Sequence, residues 1–297
     1  MGGCDPRFSY QIDSCMPAPQ CVNKTYTFDN ISSSFTDYST YLGNQSTGAE
    51  WTYSGYPLQY GSNALLTMPA NSAGTVIMST NYVWYAKVSA TIKTSRDQGV
   101  VTAFMYIQSP ISLSDHSFLS DVKDEIDYEW VGADLTTAQT NIYWQADPYY
   151  GNSANISNLN DTFTTWHTYT VDWQADQIIW SVDGTTYRTK TRASTWNSTS
   201  QLYNYPQTPS RIEISLWPGG ASDQAPGTIA WAGGAINWSS QDIQSNGYYY
   251  MQVQDVTVEC YDPPAGTPKD GSGTVSYVFD NTTTTFLNNS VIRMILF

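Results

Sequence analysis

Along most of this chain apolar and polar residues alternate one by one. WYAKVSATIKT (84–94), GVVTAFMYIQ (99–108), HTYTVDWQ (167–174), IIWSVDG (178–184), RIEISLWP (211–218) and YYYMQVQDVTVECY (248–261) share this pattern and are rich in Val, Ile, Thr, Tyr and Trp. A period of two puts successive side chains on opposite faces of an extended chain, so each segment predicts a strand with one face toward a core. The 3.6-residue recurrence of an amphipathic helix is nearly absent. Turns rich in Gly, Asn, Asp and Ser separate the segments, and QADQIIWSVDGTTYRT predicts a hairpin closing on Asp183-Gly184. So many short strands in 297 residues predict an all-β, antiparallel sandwich or jelly roll. There is no internal repeat. One sandwich domain is expected at 23–262, after a Cys- and Pro-rich stub at 1–22 and before a linker and weakly patterned tail at 263–297.

Composition narrows the partners. With 40% hydrophobic and 14% aromatic residues the chain can build a large core, so disorder is excluded as its main state. Twelve Lys plus Arg against 26 Asp plus Glu give a net charge of −14. That field repels nucleic acid and anionic membrane surfaces, but not a neutral polymer such as a polysaccharide. The 11 Trp and 23 Tyr offer flat faces that stack on sugar rings or bases, and the acidity argues against bases. For any single ring, a place in the core is the first expectation.

Cys4, Cys15, Cys21 and Cys260 lie toward the two ends of the chain, with no CxxC pair, and His116 and His167 form no cluster, so a zinc site is not expected. Four cysteines allow three pairings. Cys21 precedes the first strands and Cys260 ends the last long one, so Cys21–Cys260 is expected in a sandwich whose terminal strands are neighbours, with Cys4–Cys15 stapling the stub. Nine N-x-S/T sequons, at Asn23, Asn30, Asn44, Asn155, Asn160, Asn197, Asn237, Asn281 and Asn288, point with the cysteines to a secreted protein. The abrupt opening MGGCDP reads as a start left by removal of a leader. The stretch VIRMILF, short and carrying Arg293, does not read as a membrane span. A monomer is expected.

Charge is concentrated in DEIDYEW, residues 124–130, which sets four carboxylates in seven positions although 13% of the chain is charged. On a strand Glu125, Asp127 and Glu129 share one face, and Ile126, Tyr128 and Trp130 the other. The second set reads as core. The first is a row of like charges, whose repulsion costs free energy. A retaining glycosidase uses such repulsion: it needs one ionised carboxylate as nucleophile and a second kept protonated as acid, about 5–5.5 Å apart. Residues four apart on a strand have Cα atoms about 13 Å apart, so the glutamates must lean together over the shorter aspartate. Charge on Asp127 then raises the proton affinity of the acid. A solvated acidic edge and a calcium site, which also wants clustered oxygens, are the competing readings.

E-x-D-x-E followed by Trp resembles the signature of glycoside hydrolase family 16. The likeness continues in YTVDWQADQIIWSVDG, similar to that family's Y-x-x-x-W-x-x-x-x-I-x-W-x-V-D-G hairpin. RIEISLWPGG, GTIAWAGGAINW and YYYMQVQDVTVECYD are similar to the closing strands of its fungal Crh branch, the cell-wall chitin–glucan transglycosylases. The likeness covers about residues 20–262, and GGCDPRFSYQIDSCMPAPQC resembles the end of a small chitin-binding module running into the catalytic domain.

The resemblance implies a concanavalin-A-like β-jelly-roll with a substrate cleft across its concave face. It implies Glu125 as nucleophile, Asp127 as the assisting carboxylate and Glu129 as general acid/base. Sugar-stacking aromatics are implied at Trp217 and Trp231, with Trp144 or Trp238 nearby. Gln139 and Asn141, on the strand after the motif, are placed to reach sugar hydroxyls, and Arg211 either reaches a sugar or balances charge. The implied activity is transfer of a cleaved chitin-type chain to a β-glucan or chitin-oligosaccharide acceptor at the fungal cell wall, without cofactor or metal. A lipid anchor is one way such a protein is held there. A plain retaining hydrolase of chitin or β-glucan would use the same carboxylates, whereas a non-catalytic carbohydrate-binding sandwich would have no use for a strained carboxylate row.

Overall fold

The alternating segments become strands where the pattern places them: Ala86–Lys93, Val101–Ile107, His167–Trp173, Gln177–Val182, Ser210–Trp217 and Tyr248–Cys260. The computed structural model describes residues 18–41, 48–107, 124–145, 147, 149–265, 267, 269–270, 275–279 and 292–296. Two large sheets carry the fold, as expected for an all-β jelly-roll. One, here the motif sheet, runs in the order Ala154–Ile156, Ala138–Tyr143, Glu125–Val131, Val101–Ile107, Ser210–Trp217, Thr75–Val83, Trp51–Ser54, Phe35–Asp37. The other, the back sheet, runs Thr185–Thr191, Gln177–Val182, His167–Trp173, Ala86–Lys93, Tyr248–Cys260, Asn63–Pro69, Tyr56–Tyr60, and Lys24–Thr27 also pairs with Tyr248–Cys260. In both sheets neighbours in space are often far apart in sequence.

Between the sheets lies an aromatic-rich core in which Ile126, Tyr128 and Trp130 of the motif strand are buried with Tyr106, Tyr169, Trp173 and Trp180. The Trp130 and Tyr169 rings meet edge to face with centroids 4.4 Å apart. Burying each such side chain stabilises the fold by about 1.5–3 kcal/mol. Two of their polar atoms bond across the gap: Tyr128 Oη donates to the Ser181 oxygen at 3.0 Å and Trp180 Nε1 to the Asp127 oxygen at 3.1 Å. These two bonds tie the motif strand to the back sheet at the height of Asp127.

The hairpin between Gln177–Val182 and Thr185–Thr191 closes on Asp183-Gly184, with φ of 50° and 77°. Two consecutive positive φ values are what a type I′ turn demands, and they explain the glycine. Cys21 and Cys260 are bonded, with Cα atoms 5.9 Å apart; Cys4 and Cys15 lie outside the described residues.

Two local expectations change. GTIAWAGGAINW does not form a closing strand: Pro226–Trp231 is a short helix with Pro at its start, and Gly233 and Gly234 come next but one, with φ of 84° and 124°. Proline pre-sets the first helical turn and the glycines allow the backbone reversal that ends it. The segment read as linker and tail also supplies strands: Val275–Phe279 pairs with Ala18–Pro19 and with Ile292–Leu296, and Tyr277 is buried with its ring 5.9 Å from Trp84.

Candidate active site

The strand period aims three carboxylates outward from the motif sheet. Glu125 and Glu129 are half-buried and Asp127 is buried, while the residues between them face the core. Register then builds a grid around them. Across one neighbour strand Glu125 faces Tyr143, Asp127 faces Asn141 and Glu129 faces Gln139. Across the other they face Ile107, Met105 and Ala103, and beyond those stand Arg211, Glu213 and Ser215. Directly opposed side chains on adjacent strands have Cβ atoms about 4.5–5.5 Å apart, so each row is a line of contacts.

Burial makes every carboxyl in this grid hold its proton more tightly than in water. Glu125 is pushed well up by burial first, then by the charges of Asp127, Glu129 and Glu213. Glu129 is pushed well up by burial and by Asp127. Asp127 is pushed up to about 7 by burial, against the pull of a hydrogen bond from Glu125 and the charge of Arg188. Both glutamates are thus drawn toward the protonated form, by burial and by the charge on Asp127 between them. Asp127 Oδ2, Asn141 Oδ1 and Glu213 Oε1 are buried without a hydrogen-bond partner. Buried polar atoms left unpaired cost about 1–3 kcal/mol each, and these three stand in one row across the sheet.

The fourth carboxylate of DEIDYEW does a different job. Asp124 is buried and accepts hydrogen bonds from the Gln207 and Thr208 amides at 2.8 and 3.1 Å, from Thr208 Oγ1 at 2.7 Å and from the Gln145 amide at 3.2 Å. It ties two loops to the start of the motif strand. Burial pushes it up to about 6 despite these four donors.

The tryptophans divide. Trp217 and Trp231 are half-buried and stacked, with centroids 6.0 Å apart and planes at 22°. They are brought together by close glycine packing: the Gly220 amide donates to the Gly99 oxygen at 2.9 Å, and a Cβ on Gly220 would lie 2.3 Å from the Gly234 oxygen. Trp231 Nε1 donates to Gln139 Oε1 at 2.9 Å, and Gln139 faces Glu129, so this pair belongs to the Glu129 end of the row. Trp144 is half-buried at the other end, one residue after Tyr143. Trp238 instead packs on the core, its ring 6.1 Å from Tyr249. A sugar-stacking role for Trp238 does not follow from that placement, because Tyr249 is a core residue of the back sheet.

Three neighbours of the carboxylates escaped the sequence reading. Tyr143 faces Glu125, and its phenol is raised by burial and by the charges of all three carboxylates. It continues the 139, 141, 143 alternation, so the strand period was signal enough to find it. Glu213 shares Arg211's face by the same rule, but its nearness to Asp127 depends on strand order. Arg188 carried no local signal at all.

The buried carboxyls predict how stability varies with pH. Asp124, Asp127 and Glu213 are raised in the folded state to about 6, 7 and 7, each chiefly by burial. Between the ordinary carboxylate range and those values the folded chain therefore binds more protons than the unfolded chain, so stability falls as pH rises. It is fully present below about pH 4 and lost progressively through pH 7. Discounting for relaxation to about 1 kcal/mol per group, the melting temperature should drop by about 6–10 °C between pH 5 and pH 8. Calorimetry checks this, and Glu213→Gln should flatten the slope. A melting temperature that climbs over that interval would contradict it.

The profile of the glycosyl hydrolases family 16 matches residues 45–233. Crh-like protein 2 of Aspergillus fumigatus is 52% identical over 285 residues, covering 94% of this chain and 60% of its own length. Congo red hypersensitive protein 2 of Saccharomyces cerevisiae is 50% identical over 281 residues, covering 94% of this chain and 57% of its own. The chain thus spans about 60% of the length of these relatives. Among solved structures, a Crh5 transglycosylase in complex with NAG superposes with a TM-score of 0.66 at 27% identity, over 89% of this chain and 91% of that one. A Bacillus licheniformis β-glucanase shares the fold alone, with a TM-score of 0.56 at 21% identity over 80% of this chain and 98% of that one.

Proposed function

This chain belongs to the glycosyl hydrolases of family 16, and from that premise we propose that it is a retaining transglycosylase that cleaves a chitin-type donor and transfers it to a β-glucan or chitin-oligosaccharide acceptor. The observation that carries the reading is the outward row of Glu125, Asp127 and Glu129, bounded by Tyr143 and Trp144 at one end and by the Trp217–Trp231 pair at the other. Nucleophile and acid in one water-poor row are what a double displacement requires. An amino-sugar donor is supported by the similar Crh5 transglycosylase structure, which is a complex with NAG.

In the first step Glu129 gives its proton to the glycosidic oxygen as that bond breaks, and a Glu125 oxygen bonds to the sugar's C1. Asp127, between them, accepts a hydrogen bond from one carboxyl when that group is protonated and releases it when it is not. In the second step Glu129, now ionised, takes the proton of an acceptor hydroxyl. That oxygen attacks C1 and the ester to Glu125 breaks. Two inversions restore the original configuration.

The work place proposed is the cell wall, outside the cell. The Cys21–Cys260 bond fits an oxidising compartment. Among the described residues the sequon asparagines Asn23, Asn30, Asn155, Asn160 and Asn237 are exposed and Asn197 is half-buried. No helix among the described residues is long and apolar enough to cross a membrane.

Water at about 55 M competes for the ester, so transfer needs an acceptor held in place. Because Glu129 activates the acceptor, the aromatic at its end is the platform, and Trp231 is that residue through Gln139. Added oligosaccharide acceptor should raise transfer products at the expense of hydrolysis. Trp231→Ala should lower the transfer-to-hydrolysis ratio by about five- to tenfold, the loss of a stacking contact of ~1–1.5 kcal/mol, while donor cleavage falls less. Product analysis with a labelled acceptor decides: hydrolysis alone at millimolar acceptor would make the protein a hydrolase.

A further inference from the structure

Four carboxyl groups, Glu125, Asp127, Glu129 and Glu213, stand on one face of the motif sheet, and a cation meets them from the other. Arg188 belongs to Thr185–Thr191, the edge strand of the back sheet, yet its guanidinium leaves that sheet. Its Nη1 donates to the Thr140 backbone oxygen at 2.7 Å and to Thr140 Oγ1 at 2.6 Å, and its Nη2 donates to the Asn152 backbone oxygen. The guanidinium carbon lies 4.4 Å from the centroid of the Trp180 ring, and Trp180 Nε1 in turn donates to the Asp127 oxygen. Thr140 faces Tyr128, one residue from the Asn141–Asp127 pair.

All of these hydrogen-bond partners are neutral. Among the described residues no carboxylate pairs directly with Arg188, although the group is half-buried and sheds part of its hydration. A cation in that position is costly unless a nearby negative charge offsets it. The nearest row of negative charge is the one on the opposite face of the sheet.

We propose that Arg188 is a positioning residue for the carboxylate row: it clamps Ala138–Tyr143 beside the motif strand and holds a fixed positive charge on the core side of the sheet beneath Asp127. This rests on the reading of that row as catalytic. The clamp sets Asn141 and Tyr143 opposite Asp127 and Glu125. The charge draws the row toward ionisation, opposing the burial that would otherwise leave every carboxyl protonated and the nucleophile inactive. In agreement, Arg188 pulls Asp127 down while burial pushes it up. Asp127 is faced by Glu125 and Glu129 on its own strand, by Asn141 and Tyr143 on one neighbour, by Met105 on the other and by Glu213 beyond it. Around Arg188 the titratable groups are Tyr128, Tyr187 and Lys190. Lys190 is itself pushed down, by burial and by Arg188.

The test is the pH–rate profile for transfer from a chitin oligosaccharide to a labelled glucan oligosaccharide. Arg188→Gln keeps a planar amide on a shorter side chain but removes the charge. Both limbs of the profile should move to higher pH by about one unit, a roughly tenfold loss of rate on the acidic limb. Arg188→Lys keeps a charge without the planar fork and should move the limbs about half as far in the same direction. A uniform loss of rate with unmoved limbs, in whichever variant folds, would overturn the proposal and leave Arg188 a purely structural clamp. Absence of transfer in the unaltered protein would instead remove the functional reading on which it stands.

Discussion

Glu125→Gln abolishes turnover of the natural donor while the protein melts at or above its normal temperature. Glutamine keeps the shape of the side chain but can neither attack C1 nor carry the ester, so the loss should be on the order of 10⁴-fold or more. Glu129→Gln removes the proposed proton donor, worth about 10²- to 10⁴-fold. The two defects separate on an activated aryl glycoside, whose leaving group departs without protonation: Glu129→Gln should recover most of its cleavage rate there and Glu125→Gln none. Asp127→Asn should be milder, because Asp127 moves no bonding electrons and acts through its neighbours. Stability should not suffer in any of the three, since each substitution removes a member of a row of buried, mutually repelling carboxyls. Near-normal turnover by Glu125→Gln would end the catalytic assignment, and a collapse in melting temperature would make the row structural.

The double substitution Cys21→Ser, Cys260→Ser should produce the largest change in stability. The bond joins residues 239 apart in sequence, and it sits where Lys24–Thr27 pairs with Tyr248–Cys260. Closing a loop of that length removes conformational entropy from the unfolded chain worth roughly 5 kcal/mol in the loop-entropy account. With ~2–4 °C per kcal/mol for a domain of this size, the melting temperature should fall by about 10–20 °C. The carboxylate row lies in the other sheet, and transfer activity should be mostly kept at temperatures where the variant is folded. Thermal denaturation of the variant against the unaltered protein measures this, and a shift under about 3 °C would show that the terminal strands hold without the bond.

The extended segments, their two faces, the Asp183-Gly184 turn and the outward set Glu125, Asp127, Glu129 were all legible in the sequence. Each depends on interactions among residues a few positions apart. A strand's period of two needs no knowledge of its neighbours, and a type I′ turn declares itself by the residues that tolerate positive φ. Tyr143 was legible by the same rule and was passed over.

The surroundings of the motif were decided by the tertiary structure. Asp124 stands in the same acidic run, and nothing local separates it from Glu125; it is a structural anchor because Gln207 and Thr208, more than eighty residues on, bring their amides to it. Glu213 joins the row because Ser210–Trp217 lies one strand beyond Val101–Ile107. Trp231 reaches Gln139 from a short helix where a strand was expected, and Trp238, seven residues later, turns into the core. Arg188 meets the motif sheet from the edge of the opposite one. Local pattern states which way a side chain points, because neighbouring residues set the backbone geometry. Which side chains it then meets is set by strand order and by how the two sheets stack, and both are fixed by burying the whole core at once.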